Sequence, residues 1–412
     1  MNPQRTNRSH FLHVLFALSF ILAGSLLAGC SHNPFVDEGL GEAQPLPINS
    51  FQAHWAAQLE TKHGLVTRLY IRDTLLFGYT EDGTSYVMDR ATGTILHAET
   101  IHHGDETLHT PVVFRDYIVY PTNTTLEIYN KRGDLVRSKE LSYSIRSNAV
   151  GSKNTLYLGA DFVGAGRLVA VDVTSEYIDH RWTLAFPNAG VKSTPAILGD
   201  IVYAAATNGD VAAVAADSRE PVWTLPNGVF HTAGPIVADL AADETGVYVA
   251  STDSTLSCLN RNNGKVKWQY FAAAPLRDGP VATKDLILIK VPGVGVVAID
   301  KLAGQYNRVP RWTAPDIAKV LSEDEKYLYV LLEDETVFAL NKQTGTRAFA
   351  LRRKDLATYA TNLKDSMIYV VTTGNRVIAI NSVLKPGVVG SLVDGPAPAP
   401  GPGPSVAAAA AR

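Results

Sequence analysis

The densest group of side chains that could bind a metal lies in one short polar segment, IHHGDETLH. Its potential ligands are His102, His103, Asp105, Glu106 and His109. A structural zinc site needs four ligands, and a catalytic one needs three, converging tetrahedrally on one ion. The segment falls between two apolar repeats, where a connecting loop is the ordinary interpretation. We therefore expect a polar loop here, with metal binding as the alternative.

The two cysteines, Cys30 and Cys258, predict different chemistry. Cys30 ends an apolar run, residues 11–28, that follows Arg5 and Arg8 and has the layout of a secretory signal. Cys258 lies in a strand-like run, where a buried and unreactive thiol is expected. With Cys30 used elsewhere, no pair remains for an intramolecular disulfide or a cysteine metal site.

The sequence Leu27-Ala28-Gly29-Cys30 resembles the bacterial lipobox. This resemblance implies cleavage before Cys30, diacylation of its thiol and, because Ser31 follows, transfer to the periplasmic face of the outer membrane. An uncleaved membrane anchor or an ordinary signal are the alternatives. Inner-membrane retention stays open. We predict a signal peptide over residues 1–29 and a flexible tether over residues 30–50, rich in Pro, Gly and Asn.

Composition excludes several classes of protein. The 412 residues carry a formal net charge of −3, with 46% hydrophobic and 19% charged residues. These values are ordinary for a globular chain, so the bulk is neither disordered nor a polytopic membrane protein. The near balance of charge gives no electrostatic reason to expect a nucleic-acid partner.

A repeat organises most of the chain. An apolar, Tyr-rich strand is followed eight times by a turn and a second strand that ends in Asp or Asn. These terminal residues are spaced by 40 to 45 positions, as expected for four-stranded propeller blades. They are Asp89, Asn130, Asp172, Asp217, Asn260, Asp300, Asn341 and Asn381.

An aromatic residue opens the outer strand of most repeats and is expected to pack between neighbouring blades. The series is Trp182, Trp223, Trp268, Trp312 and Phe349, with His97 and Ser138 at this position in the first two repeats. Several repeats place Gly four residues after the Asp or Asn, where the turn requires a positive φ.

The two ends of the array are complementary. The last repeat lacks an outer strand, and an orphan strand containing Trp55 precedes the first repeat. Pairing them closes the ring and removes the free edges. We therefore predict an all-β fold over residues 51–382: an eight-bladed propeller of four-stranded antiparallel blades. A seven-bladed ring is the alternative. Residues 383–412, rich in Pro, Ala and Gly, predict a disordered tail.

The segments CLNRNNGKVKW, AIDKLAGQYNRVPRW and ALNKQTGTRAF resemble the pyrroloquinoline-quinone (PQQ) type repeat. Together with the lipobox, the tether and one eight-bladed ring, they resemble the BamB family of outer-membrane β-barrel assembly lipoproteins. The resemblance implies a non-enzymatic scaffold that binds the periplasmic POTRA domains of a barrel-insertion subunit. The Pro/Ala tail departs from the family, which usually ends at the last strand.

Quinone-dependent dehydrogenases share the repeat but resemble longer chains with a disulfide between adjacent cysteines and a bound calcium. Cys258 stands alone here and no D-x-D-x-D-G loop is present. We therefore expect no cofactor and no enzymatic activity. A propeller lipoprotein that binds a small molecule or polysaccharide is the main alternative, and a quinone enzyme is the next.

Charged residues just before the innermost strands predict a docking rim around one mouth of the channel, because loops on one propeller face converge. They are Arg146, Lys192, His231, Asp278 and Lys319. Leu276 and Arg277 join them through a similarity to a Leu-Arg contact of the BamB family. We expect the run Glu323-Asp324-Glu325 and the pair Arg352-Arg353 to be exposed hairpin charges.

Overall fold

The computed structural model describes residues 51–101, 106–302, 306, 308–351 and 355–381. The predictions for Cys30, the signal peptide, the tether, the tail and the Arg352-Arg353 pair therefore concern residues outside the described ones, as do those for His102, His103 and Asp105. Within the described part, no helix has the length and apolar character needed to cross a bilayer.

The first four blades are antiparallel sheets of consecutive strands. Blade 1 follows an N-terminal strand, β1 (Gln52–Gln58), and contains β2 (Val66–Arg72), β3 (Leu75–Thr80), β4 (Thr84–Asp89) and β5 (Ile95–Thr100). Blade 2 contains β6 (Val112–Val113), β7 (Tyr117–Pro121), β8 (Thr125–Asn130) and β9 (Leu135–Glu140). Blade 3 has a divided inner strand, β10 (Ser144–Ile145) and β11 (Val150–Ser152), then β12 (Thr155–Phe162), β13 (Ala165–Asp172) and β14 (His180–Pro187). Blade 4 contains β15 (Ala196–Leu198), β16 (Ile201–Ala205), β17 (Asp210–Ala215) and β18 (Val229–His231).

The last four blades repeat this order. Blade 5 contains β19 (Ala241–Asp243), β20 (Gly246–Ala250), β21 (Thr255–Leu259) and β22 (Val266–Phe271). Blade 6 contains β23 (Val281–Ala282), β24 (Leu286–Val291), β25 (Gly295–Asp300) and β26 (Trp312–Ala314). Blade 7 contains β27 (Ile317–Glu323), β28 (Tyr327–Leu332), β29 (Val337–Asn341) and β30 (Arg347–Leu351). Blade 8 contains β31 (Leu356–Ala360), β32 (Ile368–Thr372) and β33 (Arg376–Asn381). Two single-turn 3-10 helices, Thr61–His63 and Pro226–Gly228, interrupt the loops.

The ring closes as the sequence predicts. Strand β1 pairs antiparallel with β33, so the eighth sheet has the order β1-β33-β32-β31. Trp55 lies opposite Ala379, two residues before Asn381. The inner strands β2 and β31, from the two ends of the ring, also contact each other. An eight-bladed all-β propeller with an N-terminal strand completing the last blade is therefore confirmed.

The apolar core is divided among the contacts between neighbouring blades, which we call seams. Each of the eight buried apolar clusters in the described residues joins the strands of two adjacent blades. The reason is the alternation of side chains along a strand, which gives every blade two apolar faces to cover. Burial on both faces explains why strands such as β3 and β28 are buried at every residue and are mostly apolar.

Tryptophan side chains close four of the seams with one repeated contact. The indole N–H donates to a backbone carbonyl in the turn of the next blade, at 2.8 to 3.1 Å. The donors and acceptors are Trp55 to Arg90, Trp182 to Ala216, Trp223 to Arg261 and Trp312 to Lys342. The turn glycine lies against the same ring: a Cβ on Gly264 would stand 2.6 Å from Trp223 Cδ2. The glycine therefore serves a close approach as well as the positive φ expected from sequence.

The strand register corrects two assignments made from the repeat. In blade 5 the aromatic residue Trp268 lies opposite Cys258, two residues before the terminal Asn260. The equivalent position in blade 2 is the one opposite Ile128, and Arg137 occupies it. Arg137 therefore replaces the aromatic residue, and Ser138 does not. In blade 4, Ala215 pairs with Ile201 as Asp89 pairs with Leu75, so Ala215 is equivalent to the terminal Asp or Asn. Asp217 belongs to the turn that follows. Both errors arise because the spacing of a repeat does not show where a turn gains residues.

Candidate functional site: a loop face, a paired face and the channel

The two faces of the propeller are built from different loops. Because the strands of a blade are antiparallel, the connection that leaves the outer strand lies at the same end as the turn between the second and third strands. The other end carries the turns after the first and third strands. We call the first end the loop face and the second the paired face.

The loop face carries most of the residues proposed for docking. Arg146, between β10 and β11, is exposed, and its Nε donates to Asp161 Oδ2 at 2.9 Å. Lys192 is exposed on the connection before β15, although its neighbour Val191 is fully buried. Arg277 and Asp278 are both exposed on the connection before β23.

Three of the proposed docking residues occupy other environments. Leu276 is fully buried in the seam of blades 5 and 6, so its side chain offers no surface to a partner. His231 ends the outer strand β18 instead of preceding an inner strand, and its Nδ1 lies 2.9 Å from Asp210 Oδ1. Lys319 lies within the inner strand β27 and lines the central channel. Leu276 is buried because the loop packs it against its own blade seam. The sequence alone does not distinguish such a buried leucine from one that contacts a partner.

Ion pairs between side chains connect the turns of the paired face, a feature that the sequence did not indicate. Glu323, expected to be exposed, is only 8% exposed and forms an ion pair with Lys342, whose side chain is 3% exposed. Lys342 Nζ also donates to the carbonyl of Asp324 at 3.1 Å. A buried cation is tolerated when a carboxylate and a carbonyl satisfy it together. The burial of Glu323 depends on Lys342 nineteen positions away, so only the fold brings the pair together.

Further ion pairs on the paired face join different blades. Lys301 of blade 6 pairs with Asp243 of blade 5 at 2.5 Å. Arg90 of blade 1 pairs with Asp365 of blade 8 at 2.5 Å and donates to Asn362 Oδ1 at 2.9 Å, across the closure of the ring. These contacts stabilise the relative position of neighbouring blades.

The predicted metal cluster is only partly described. Glu106 accepts a hydrogen bond from Thr124 Oγ1 at 2.6 Å, and burial lowers the pKa of His109. Among the residues that the structure describes, no group of three or more His, Cys, Asp or Glu side chains could hold a metal ion. Metal binding by the complete segment stays a prediction.

Cys258 behaves as the sequence predicts. It lies in β21 and is 1% exposed. Burial raises the pKa of its thiol to about 12, so the reactive thiolate is scarce at neutral pH.

Comparisons with known proteins agree with the propeller. The family model described as outer membrane protein assembly factor BamB matches residues 122–270 and 207–323. No curated protein matches the chain at the level of sequence.

Solved structures share the fold at low sequence identity. BamB from Moraxella catarrhalis is similar with a TM-score of 0.60 and 15% identity, covering 80% of this chain and 97% of that one. The computationally designed Ika8 protein gives a TM-score of 0.61 and 16% identity, covering 80% and 99%. The quinohemoprotein alcohol dehydrogenase ADHIIG from Pseudomonas putida HK5 gives 0.63 and 12%, covering 86% and 78%. These likenesses show the fold alone, and the family model adds that residues 122–323, the central part of the propeller, match a BamB family domain.

Proposed function

We propose that the protein is a non-enzymatic, lipid-anchored scaffold at the periplasmic face of the outer membrane, where it binds partner proteins during β-barrel assembly. The match of residues 122–323 to the BamB family model carries this proposal. The lipobox at Cys30 supplies the anchor. The partner is the barrel-insertion subunit, bound through its POTRA domains.

The loop face is the proposed docking surface. Arg277 and Asp278 are exposed, and no described residue forms a hydrogen bond or ion pair with either side chain. Arg146 forms an ion pair with Asp161, and His231 Nδ1 lies 2.9 Å from Asp210 Oδ1. The face therefore combines charges in fixed positions with charges that are available to a partner, an arrangement that favours electrostatic complementarity.

Crosslinking in intact envelopes followed by recovery of the protein tests the proposal. The wild type should recover the barrel-insertion subunit, and Arg277→Glu should reduce recovery several-fold. Lys265→Glu is the matched control, because Lys265 is also exposed but lies in a turn of the paired face. Failure of the wild type to recover that subunit would refute the scaffold. Loss with K265E and not with R277E would place docking on the paired face.

The anchor has a separate test. Cys30→Ser removes the thiol that the lipobox would acylate, so the variant should leave the membrane fraction for the soluble periplasmic fraction. A variant that stays in the outer-membrane fraction would contradict lipidation at Cys30.

A quinone-dependent dehydrogenase is the second candidate, favoured by the fold similarity to quinohemoprotein alcohol dehydrogenase. The chain does not fit that cofactor as the resemblance describes its site, because Cys258 has no adjacent cysteine and is buried in a strand. Adding quinone cofactor and calcium to the purified protein should produce neither a characteristic absorbance nor a thermal shift. Either signal would favour the enzyme.

A further inference from the structure

The central channel contains a cavity of about 770 Å³, a volume typical of small-molecule sites. Inner strands and the segments just before them line it, from blades 1 to 5, 7 and 8. Its charged lining residues are Arg72, Asp73, Asp239, Lys319 and Lys364. Three cations thus face two carboxylates, an excess of one positive charge.

The carboxylates of the channel are already engaged. Asp73 Oδ1 lies 3.0 Å from Lys364 Nζ, and Asp239 Oδ1 accepts the backbone N–H of Thr194 at 2.7 Å. Among the described residues, neither Arg72 nor Lys319 has a carboxylate partner. The excess charge therefore belongs to these two side chains.

The Arg72 guanidinium is held in a fixed orientation. Its Nε donates to the carbonyl of Pro111 at 3.0 Å and its Nη1 to the carbonyl of Ile71 at 2.8 Å. No described residue accepts a hydrogen bond from Nη2, which leaves a donor for a ligand. Burial lowers the pKa of Arg72, a sign that the protein keeps this cation at a cost.

Lys319 lies with its Nζ 5.8 Å from the centre of the Tyr359 ring, and no described oxygen accepts a hydrogen bond from it. The residue is exposed to the channel, and partial burial of its side chain by the channel wall lowers the pKa of this ammonium. A partly desolvated ammonium without a partner is unfavourable, and an anion in the channel would remove that penalty. The paired face shows the contrast, since its buried Lys301 and Lys342 each have a carboxylate.

Neutral donors complete the lining. Thr110 is 8% exposed, and its buried Oγ1 has no hydrogen-bond partner among the described residues. The Oγ1 of Thr194 is likewise buried without a partner in the described chain. Both residues line the cavity, and a hydroxyl can donate to an oxyanion.

We propose that the central channel binds a small oxyanion, carrying carboxylate or phosphate groups, between Lys319 and Arg72 with the threonine hydroxyls as further donors. This site lies inside the channel, and its proposal does not depend on the scaffold function.

Titration calorimetry at low ionic strength tests the site, with citrate and inorganic phosphate as the two probes and sodium chloride as the ionic-strength control. At least one probe should bind the wild type saturably, and the tighter one identifies the group that the channel prefers. Lys319→Met should weaken that binding about tenfold or more, because a charge-assisted hydrogen bond is lost. Lys265→Met, which removes an exposed lysine outside the channel, should bind as the wild type does.

Stability provides an independent readout. Without ligand, K319M should melt close to the wild type, because Lys319 is exposed to the channel and has no ion pair to lose. With the bound probe, the wild type should gain more in melting temperature than K319M. The proposal is overturned if neither probe binds saturably, or if K319M binds as tightly as the wild type. Equal weakening in K265M would also overturn it, since that result means non-specific attraction.

Discussion

The seam between blades 4 and 5 and the seam between blades 1 and 2 each place a side chain against a turn glycine, but they differ in that side chain. In the first, Trp223 is 2% exposed, lies against Gly264 and donates to the carbonyl of Arg261 at 2.9 Å. In the second, His97 lies against Gly133, and neither of its ring nitrogens has a hydrogen-bond partner among the described residues.

The difference shows what the aromatic position contributes. Backbone pairing sets the strand register within blades 4 and 1, so the fold of each blade does not depend on the identity of this residue. The indole adds a large apolar surface and a satisfied polar group, whereas the imidazole leaves two buried nitrogens unpaired. We therefore expect substitution of the aromatic position to destabilise seam 4–5 more than seam 1–2. We also expect the stability of seam 4–5 to depend less on pH.

Truncation should separate the two seams most clearly. Trp223→Ala should lower the free energy of unfolding by about 3–5 kcal/mol, because it leaves a cavity and removes the hydrogen bond to the carbonyl of Arg261. His97→Ala should cost about 1 kcal/mol, because the ring makes no hydrogen bond that is lost. Urea unfolding of both variants checks the order. Equal losses would mean that the aromatic position does not determine the strength of a seam.

The turn glycines give the next largest effect. Gly264→Ala should cost about 1–3 kcal/mol more than Gly164→Ala, because a Cβ at Gly264 would overlap the Trp223 ring. Gly164 is the matched control: its φ is also positive, at 85°, but nothing lies within 4 Å of an added Cβ. Both variants share the cost of the left-handed backbone, about 1–2 kcal/mol. Similar unfolding free energies would show that the glycine serves φ alone.

The pH dependence of the free energy of unfolding should show the contribution of His97 in seam 1–2. Burial lowers the pKa of His97 below 6.5, so the folded state favours the neutral imidazole. The stability linked to this group is fully present above pH 6.5 and is lost as the pH falls from there toward the folded pKa. Unfolding free energies at pH 7 and pH 5 should therefore differ less in His97→Phe than in the wild type. His109 and His180, whose pKa values are also lowered by burial, should maintain part of the dependence in H97F. An unchanged dependence would exclude His97 as its source.

Thiol labelling provides the smallest expected signal. Cys258 lies in β21, opposite Trp268 of β22. It should not react measurably with a thiol reagent at pH 8 in the native state and should react fully in denaturant. Its labelling rate should rise in W223A, as the adjacent blade opens more often, and should change little in H97A. Rapid labelling of the native wild type would mean that blade 5 opens locally.

The repeat made the fold predictable, but it did not indicate which charged and apolar residues are exposed at the candidate site. Strand alternation, turn glycines and the orphan strand with Trp55 were sufficient to predict eight blades and the closure confirmed by β1 and β33. The resemblance to a Leu-Arg contact of the BamB family placed Leu276 on a docking rim, although the chain packs it fully into a seam. It also placed Lys319 at a channel mouth and expected Glu323 to be exposed. In each case the deciding contact comes from another blade or another strand, which local pattern does not record.

The sequence by itself determined the number of blades, the way the ring closes and the residues that fill most seams, because these follow from a periodic pattern of apolar, turn and aromatic residues. The tertiary structure decided which charges are satisfied. Lys342 forms an ion pair with Glu323 within one blade, and Lys301 forms one with Asp243 across a seam. Lys319 has no carboxylate partner among the described residues of the channel. Electrostatic energy depends on distance and burial, and only the closed ring sets both.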